Sequence, residues 1–252
     1  MIKAIIGGVG SGKTISMTKM LIDLKQLTFS NFNINAPFVE RLLKDNIISK
    51  RVETNDKGKE KEVAFINWGF WNSIGKPFNL AFDEIHNVLH SRQSMTKWNT
   101  LMSIWVSQIR KILDSDEKHH LYLISQKLDR IDVALRDLIH TVTFCECYVQ
   151  MRVGNTWRTV PKNIYKEKYQ DFYPLRQIPT EVMINGKLEK RLCDVTWIKQ
   201  TIFRGDKALM MFDRWAYGNE KTYDKRTCFL GNPYFKYYNS YELITFGDDV
   251  YV

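Results

Sequence analysis

Ala4-Ile5-Ile6-Gly7-Gly8-Val9-Gly10-Ser11-Gly12-Lys13-Thr14 decides the fold of this chain. Lys3 to Ile6 is a short apolar run ending in two glycines, as a buried strand does before a tight turn. Met17, Met20, Leu21 and Leu24 then recur at helical spacing, which predicts an amphipathic helix over about 13–27. Gly7 to Thr14 matches the Walker A pattern of Gly, four residues, then Gly-Lys-Ser/Thr, in the strand-to-helix context that gives it meaning. Glycines let the backbone turn so that successive N–H groups face a phosphate, and the following helix adds its positive end. In that chemistry Gly7, Gly8, Val9, Gly10, Ser11 and Gly12 cradle the nucleotide. Lys13 reaches its β- and γ-phosphates, and the Thr14 hydroxyl ligates Mg²⁺.

Two further stretches belong with that loop. Asn79-Leu80-Ala81-Phe82 is an apolar run ending in Asp83-Glu84. Asp83 would hold Mg²⁺ through its water shell, and Glu84 would polarise the attacking water as general base. Alone, the pair is also what a strand ending in a solvated turn looks like. Leu121 to Ser125 is another buried-looking strand, and it ends in Gln126, an amide able to bond a γ-phosphate or the lytic water. A polar residue at a strand exit is the plainer reading of Gln126.

The remaining pattern is that of an α/β chain. Strands are expected near Leu27–Ile34, Val63–Trp68, Asn79–Phe82, Leu121–Ser125 and Val142–Cys147. Helices are expected over about 98–113, where Leu101, Met102, Trp105, Ile109, Ile112 and Leu113 share a face, and around 130–139. Alternating strands and helices predict a mostly parallel sheet. Asn55-Asp56-Lys57-Gly58 marks a hairpin tip. After about residue 148 the chain turns aromatic-rich and irregular, with hairpin turns at Val153-Gly154-Asn155 and Ile184-Asn185-Gly186. The expectation is an ATPase core over 1–147 and a smaller, irregular β-rich extension over 148–252.

Composition bounds the partners. Among 252 residues, 44% hydrophobic and 26% charged describe an ordinary globular protein. A formal charge of +9 favours polyanions, and the bland alternative is a basic surface kept for solubility. No stretch approaches the roughly 18–20 apolar residues of a membrane helix. Met1-Ile2-Lys3-Ala4 leads straight into a strand pattern and leaves no room for a signal peptide. Cys145, Cys147, Cys193 and Cys228 lack zinc spacing and read as reduced, packed thiols of a cytoplasmic protein.

Gly7–Thr14, Ser30-Asn31-Phe32, Asp83-Glu84-Ile85-His86 with Ser91-Arg92, and Arg110 through Gln126 to Ile131-Asp132 and Leu135-Arg136 together resemble the zonular occludens toxin-like ATPases. These belong to the FtsK–HerA superfamily of DNA-pumping motors, which includes genome-packaging ATPases of tailless viruses. The resemblance covers about residues 1–147, and Tyr237-Tyr238-Asn239-Ser240-Tyr241-Glu242 adds a short late match. It implies a RecA-like core in a ring of five or six copies, with an arginine of one subunit completing its neighbour's site. Arg110 is the first candidate for that finger, and Arg92 and Arg136 are the alternatives. It also implies ATP with Mg²⁺, double-stranded DNA as cargo, a capsid or portal-vertex partner, and a place in the host cytoplasm or at the packaging vertex. A filamentous-phage type of assembly motor, moving single strands, and an ATP-dependent scaffold with little turnover are the rivals. The filamentous-phage relatives carry a membrane helix after the ATPase domain, and none is expected here.

Asp-Glu-Ile-His also invites a two-domain helicase reading, but the residues after 148 show no second α/β pattern. Lys187, Lys190, Arg191, Lys199, Arg204, Lys207, Arg214, Lys221, Lys225 and Arg226 lie among aromatics such as Trp197, Trp215 and Tyr223. They would follow a phosphate backbone without reading sequence, or they are solvated faces. The extension then serves as a lid, a DNA-contacting surface or a capsid dock.

Overall fold

The computed structural model describes residues 1–54, 59–85, 97–113, 119–131, 133–218 and 220–238. In chain order these form β1 (Ile2–Ile6), α1 (Lys13–Leu24), β2 (Thr28–Ser30), β3 (Val39–Arg41), α2 (Lys44–Ile47), β4 (Ile48–Thr54), β5 (Glu60–Ile66), α3 (Trp68–Ser73), β6 (Asn79–Phe82) and α4 (Lys97–Leu113). There follow β7 (Leu121–Ser125), α5 (Val133–Arg136), β8 (Ile139–Val153), β9 (Thr156–Pro161), α6 (Lys162–Lys168), β10 (Gln177–Ile184), β11 (Lys187–Asp194), β12 (Thr196–Arg204), α7 (Ala208–Tyr217) and β13 (Lys225–Leu230).

One sheet carries the molecule, in the order β13-β12-β8-β1-β7-β6-β2-β3, with β9 on the far half of β8. From β3 to β8 neighbouring strands are parallel. β12 and β13 continue the sheet antiparallel beyond β8. The chain is therefore α/β with a mostly parallel central sheet. Such strands are covered on both faces, which is why β1, β6 and β7 read as unbroken apolar runs. On one face Ile5, Ala81, Tyr122 and Ile124 pack under Met17 and Leu21 of α1. On the other, Ala4, Leu80, Phe82, Leu121 and Leu123 meet Met102, Trp105, Val106 and Ile109 of α4. Phe212 and Trp215 of α7 close that face over Phe144 and Phe203.

Two elements differ from the sequence reading. Val63–Ile66 is no core strand: β5 pairs only with β4, in a separate antiparallel ribbon flanking positions 55–58. Lys61 and Glu62 put charge beside the apolar run, and of the seven residues of β5 only Ile66 is buried. The region after 148 also returns to the main sheet, since β8 continues unbroken to Val153. The β10–β11 hairpin does stand apart, and Asn185 (φ 47°) with Gly186 (φ 75°) gives its turn two positive φ angles, as a two-residue hairpin of type I′ requires.

Candidate functional site

The loop between β1 and α1 is held by its own backbone. Ser11 N–H donates to the Gly8 carbonyl (3.2 Å) and Ser16 N–H to that of Gly12 (2.9 Å). A Cβ at Gly7 would lie 2.6 Å from the carbonyl oxygen of Cys145 on β8, so only glycine lets the loop approach that strand. Gly12 sits at φ 86°, and a Cβ there would run into Cδ1 of Ile198 on β12. Lys13 is 7% exposed and its ammonium donates back to the Gly8 carbonyl at 2.9 Å. Ser11 Oγ is buried with no hydrogen-bond partner among the described residues.

β6 delivers the acidic pair to the same place. The Thr14 hydroxyl donates to Asp83 Oδ2 at 2.6 Å. Asn31, just past β2, clamps the strand end: its amide nitrogen donates to the Asp83 carbonyl (2.9 Å) and its oxygen accepts the Asp83 N–H (2.7 Å). Glu84 N–H then donates to Asp83 Oδ1 at 2.8 Å. Glu84 has φ 48°, a left-handed conformation that costs a non-glycine residue roughly 1–3 kcal/mol and persists where surrounding packing enforces it. The buried Ile85 anchors the turn from below.

Asp83 is 2% exposed, and burial pushes its carboxyl up to about 6. The Thr14 hydrogen bond opposes the rise and the Glu84 charge adds to it. Between pH 4 and 6 the unfolded chain sheds this proton while the folded chain keeps it, so this group's contribution to stability falls as pH rises through that window. Asp83→Asn removes the burden. In buffer free of magnesium and nucleotide, its unfolding free energy at pH 8 should exceed that of the parent by on the order of 3 kcal/mol, with the difference vanishing below pH 4. Denaturant melts at both pH values measure it; an equal or lower stability at pH 8 contradicts the account.

The other sequence candidates are distributed as follows. β7 lies between β1 and β6, so Gln126 emerges between the loop and Asp83. It is half-buried, and its carbonyl oxygen accepts from Arg130 Nη1 at 3.0 Å. Arg136 closes α5, with a buried Nε that has no partner among the described residues. Arg110 lies in the last turn of α4, and Arg92 lies outside the described residues. All four cysteines are free thiols, and burial pushes Cys145 up to about 12, so it serves as packing.

The basic residues of the C-terminal half do not gather on one element. Lys187, Lys190 and Arg191 are on the β11 arm of the hairpin, Lys199 on β12, Arg214 on α7, and Lys225 with Arg226 on β13. Several are paired: Arg191 with Glu189 (2.8 Å), Lys199 with Glu146 (3.5 Å) and Arg214 with Glu220 (4.0 Å).

Sequence reasoning missed the part played by Asn31. The signal was a carboxamide at the end of an apolar strand, but its partner lies 52 positions away.

Fold and loop together give an α/β chain whose glycine-rich turn joins β1 to α1 beside the end of β6. No family model matches the chain, and no curated protein matches it. Among solved structures it is similar to the N-terminal domain of zonular occludens toxin from Neisseria meningitidis, at 16% identity over 70% of this chain and 93% of that one, with a TM-score of 0.37. It is also similar to the genome-packaging NTPase of Sulfolobus turreted icosahedral virus 2 in complex with ATP-gammaS, at 10% identity over 92% and 97% of the two chains, TM-score 0.34. The DNA-packaging ATPase of Sulfolobus turreted icosahedral virus gives 18% identity over 61% and 77%, TM-score 0.33.

Proposed function

We propose that this chain is an ATP-hydrolysing motor that translocates double-stranded DNA as a homo-oligomeric ring, packaging a viral genome into a capsid. The observation that carries the hydrolytic part is the contact of Thr14 with Asp83 at 2.6 Å, beside Lys13 and directly before Glu84. These residues suit magnesium triphosphate. Thr14 would supply a hydroxyl ligand, Asp83 a carboxylate for the metal's water shell, and the phosphates further oxygens, as is usual for a cation that keeps several waters and needs few protein ligands. Bound there, magnesium would neutralise charge developing on the phosphate oxygens.

The chain's own groups do the rest. The loop N–H groups orient the phosphates, Lys13 transfers its ammonium from the Gly8 carbonyl to the β- and γ-oxygens, and Glu84 accepts a proton from the attacking water. Gln126 holds that water or the γ-phosphate and passes the change along β7. Arg110 of a neighbouring copy completes the charge stabilisation, and Arg92 and Arg136 are the alternative candidates for that role.

The reading of DNA as cargo is supported by the net charge of +9 and by Lys225 with Arg226 on β13, the outermost strand of the main sheet. That half serves as lid, DNA contact or dock for a capsid or portal-vertex protein. No helix among the described residues is long and apolar enough to cross a membrane. We place the working complex in the host cytoplasm, at the packaging vertex.

Phosphate release by purified protein should require Mg²⁺ and rise with duplex DNA. Greater stimulation by single strands would instead indicate an assembly motor of the filamentous-phage kind, and no release at all a scaffold. Mixing Arg110→Ala with Lys13→Ala subunits should restore part of the activity, because one intact site forms across an interface; no rescue at any ratio removes the Arg110 assignment.

A further inference from the structure

β8 has two unlike faces. From Cys145 to Met151 its odd-numbered residues are buried and its even-numbered ones half-buried. The odd face is covered, since Cys147 packs with Ile15 of α1 and Val149 with Tyr165 of α6. The even face is covered at its start, where Phe144 meets Phe212 and Trp215 of α7. Beyond that point it opens into a concavity of about 380 Å³, lined by Tyr148, Gln150, Thr159, Trp197, Lys199 and Cys228. β9 and β12 flank β8 there, so these side chains stand on one sheet surface. Tyr148 lies opposite Trp197, Gln150 opposite Thr159 and Lys199 opposite Cys228.

A sheet face turned to water needs only polar side chains, yet this one carries three large rings. Trp157, opposite Arg152, is 45% exposed, and Tyr148 and Trp197 are half-buried. Cations stand beside the rings. Lys199 Nζ lies 5.5 Å from the centre of the Tyr148 ring, and the Arg176 guanidinium 5.9 Å from that of Trp157. Arg176 also donates to Gln150 Oε1 at 3.2 Å. Alternation along β8 and β13 puts Arg152 and Arg226 on the same side. Against these cations the strands bring one carboxylate to this face among the described residues, Glu146, which lies 3.5 Å from Lys199.

Rings interleaved with cations equip a surface for unpaired nucleotides, because a base stacks on an aromatic face while the phosphates meet Lys and Arg. A duplex keeps its base faces inside and could use only the charge. We propose that this concavity binds a single strand of nucleic acid, with a base against Tyr148 and Trp197 and the adjoining phosphates on Lys199 and Arg176. Every base has a face to stack, so the strand is held with little regard to sequence. The surface lies on the side of β8 and β12 away from α1 and the phosphate loop. It adds an unpaired strand to the duplex cargo proposed above and does not rest on the ATP site.

The test measures binding of a labelled oligo(dT) and of a blunt duplex of equal length by fluorescence anisotropy, without ATP. Tyr148→Leu, which fills the space without a ring, should weaken oligo(dT) by roughly tenfold, the scale of one lost stacking face, and leave the duplex unchanged. Tyr148→Phe keeps the ring and should bind like the parent, which guards against simple loss of folding. Bound oligo(dT) should also slow alkylation of Cys228, in the concavity, and leave that of Cys193, on β11, unchanged. Parental affinity in Tyr148→Leu, an equal loss for the duplex, an equal loss in Tyr148→Phe, or no protection of Cys228 overturns the proposal. So does displacement of oligo(dT) by poly-glutamate as readily as by unlabelled oligo(dT), which would make the surface a dock for an acidic protein segment. None of these outcomes bears on ATP turnover.

Discussion

Replacing Glu84 with glutamine should leave ATP bound and slow phosphate release by about 10²–10⁴-fold, the range a positioned general base supplies. Glutamine keeps the shape of the side chain and loses only the capacity to take a proton. The left-handed backbone at position 84 costs glutamine about what it costs glutamate, since the two share the same side-chain branching, so folding should be little altered. The site's geometry explains why this carboxylate and not its neighbour is assigned the proton. Both oxygens of Asp83 already accept hydrogen bonds, from Thr14 and from the Glu84 N–H, and its position beneath the loop suits the metal's water shell. Turnover in Glu84→Gln at the parental rate would contradict that division of labour.

Lys13→Ala should abolish measurable nucleotide binding under conditions where the parent saturates. A hydrogen bond to a charged group contributes about 1.5–3 kcal/mol, and Lys13 is placed to make more than one to the β- and γ-oxygens. In the structure its ammonium is already desolvated and satisfied by the Gly8 carbonyl. Nucleotide binding therefore exchanges one buried partner for stronger ones, and the energetic cost of stripping water from the ammonium is met during folding. Calorimetry on the variant checks this, and ATP affinity within a few-fold of the parent would refute it.

What the sequence disclosed follows from the range of the interactions involved. The loop at Gly7–Thr14 was legible because glycine conformations, the lysine and the helix start all lie within eight consecutive positions. Asp83-Glu84 was legible because a buried strand reads as an apolar run and its end as charge. Asn31 was not, since its two bonds to Asp83 depend on β2 lying beside β6, which no local pattern states. The packing of Tyr238 was hidden for the same reason: its neighbours include Ile15 of α1, Cys147 of β8, Ile198 of β12 and Phe229 of β13. Val63–Ile66 misled because a β-rich run fits a core strand and an outlying ribbon equally, and only its pairing with β4 separates the two. The return of β12 and β13 to the main sheet was likewise a matter of long-range pairing.

The most direct test is a structure of the protein with Mg²⁺ and a slowly hydrolysed ATP analogue. The account predicts that Lys13 Nζ has left the Gly8 carbonyl for the β- and γ-oxygens, that Thr14 Oγ1 has left Asp83 for the metal, and that a water stands between the Glu84 carboxylate and the γ-phosphate. Phosphates bound away from residues 7–14, or a Glu84 carboxylate turned from the γ-phosphate with no water between them, would contradict it.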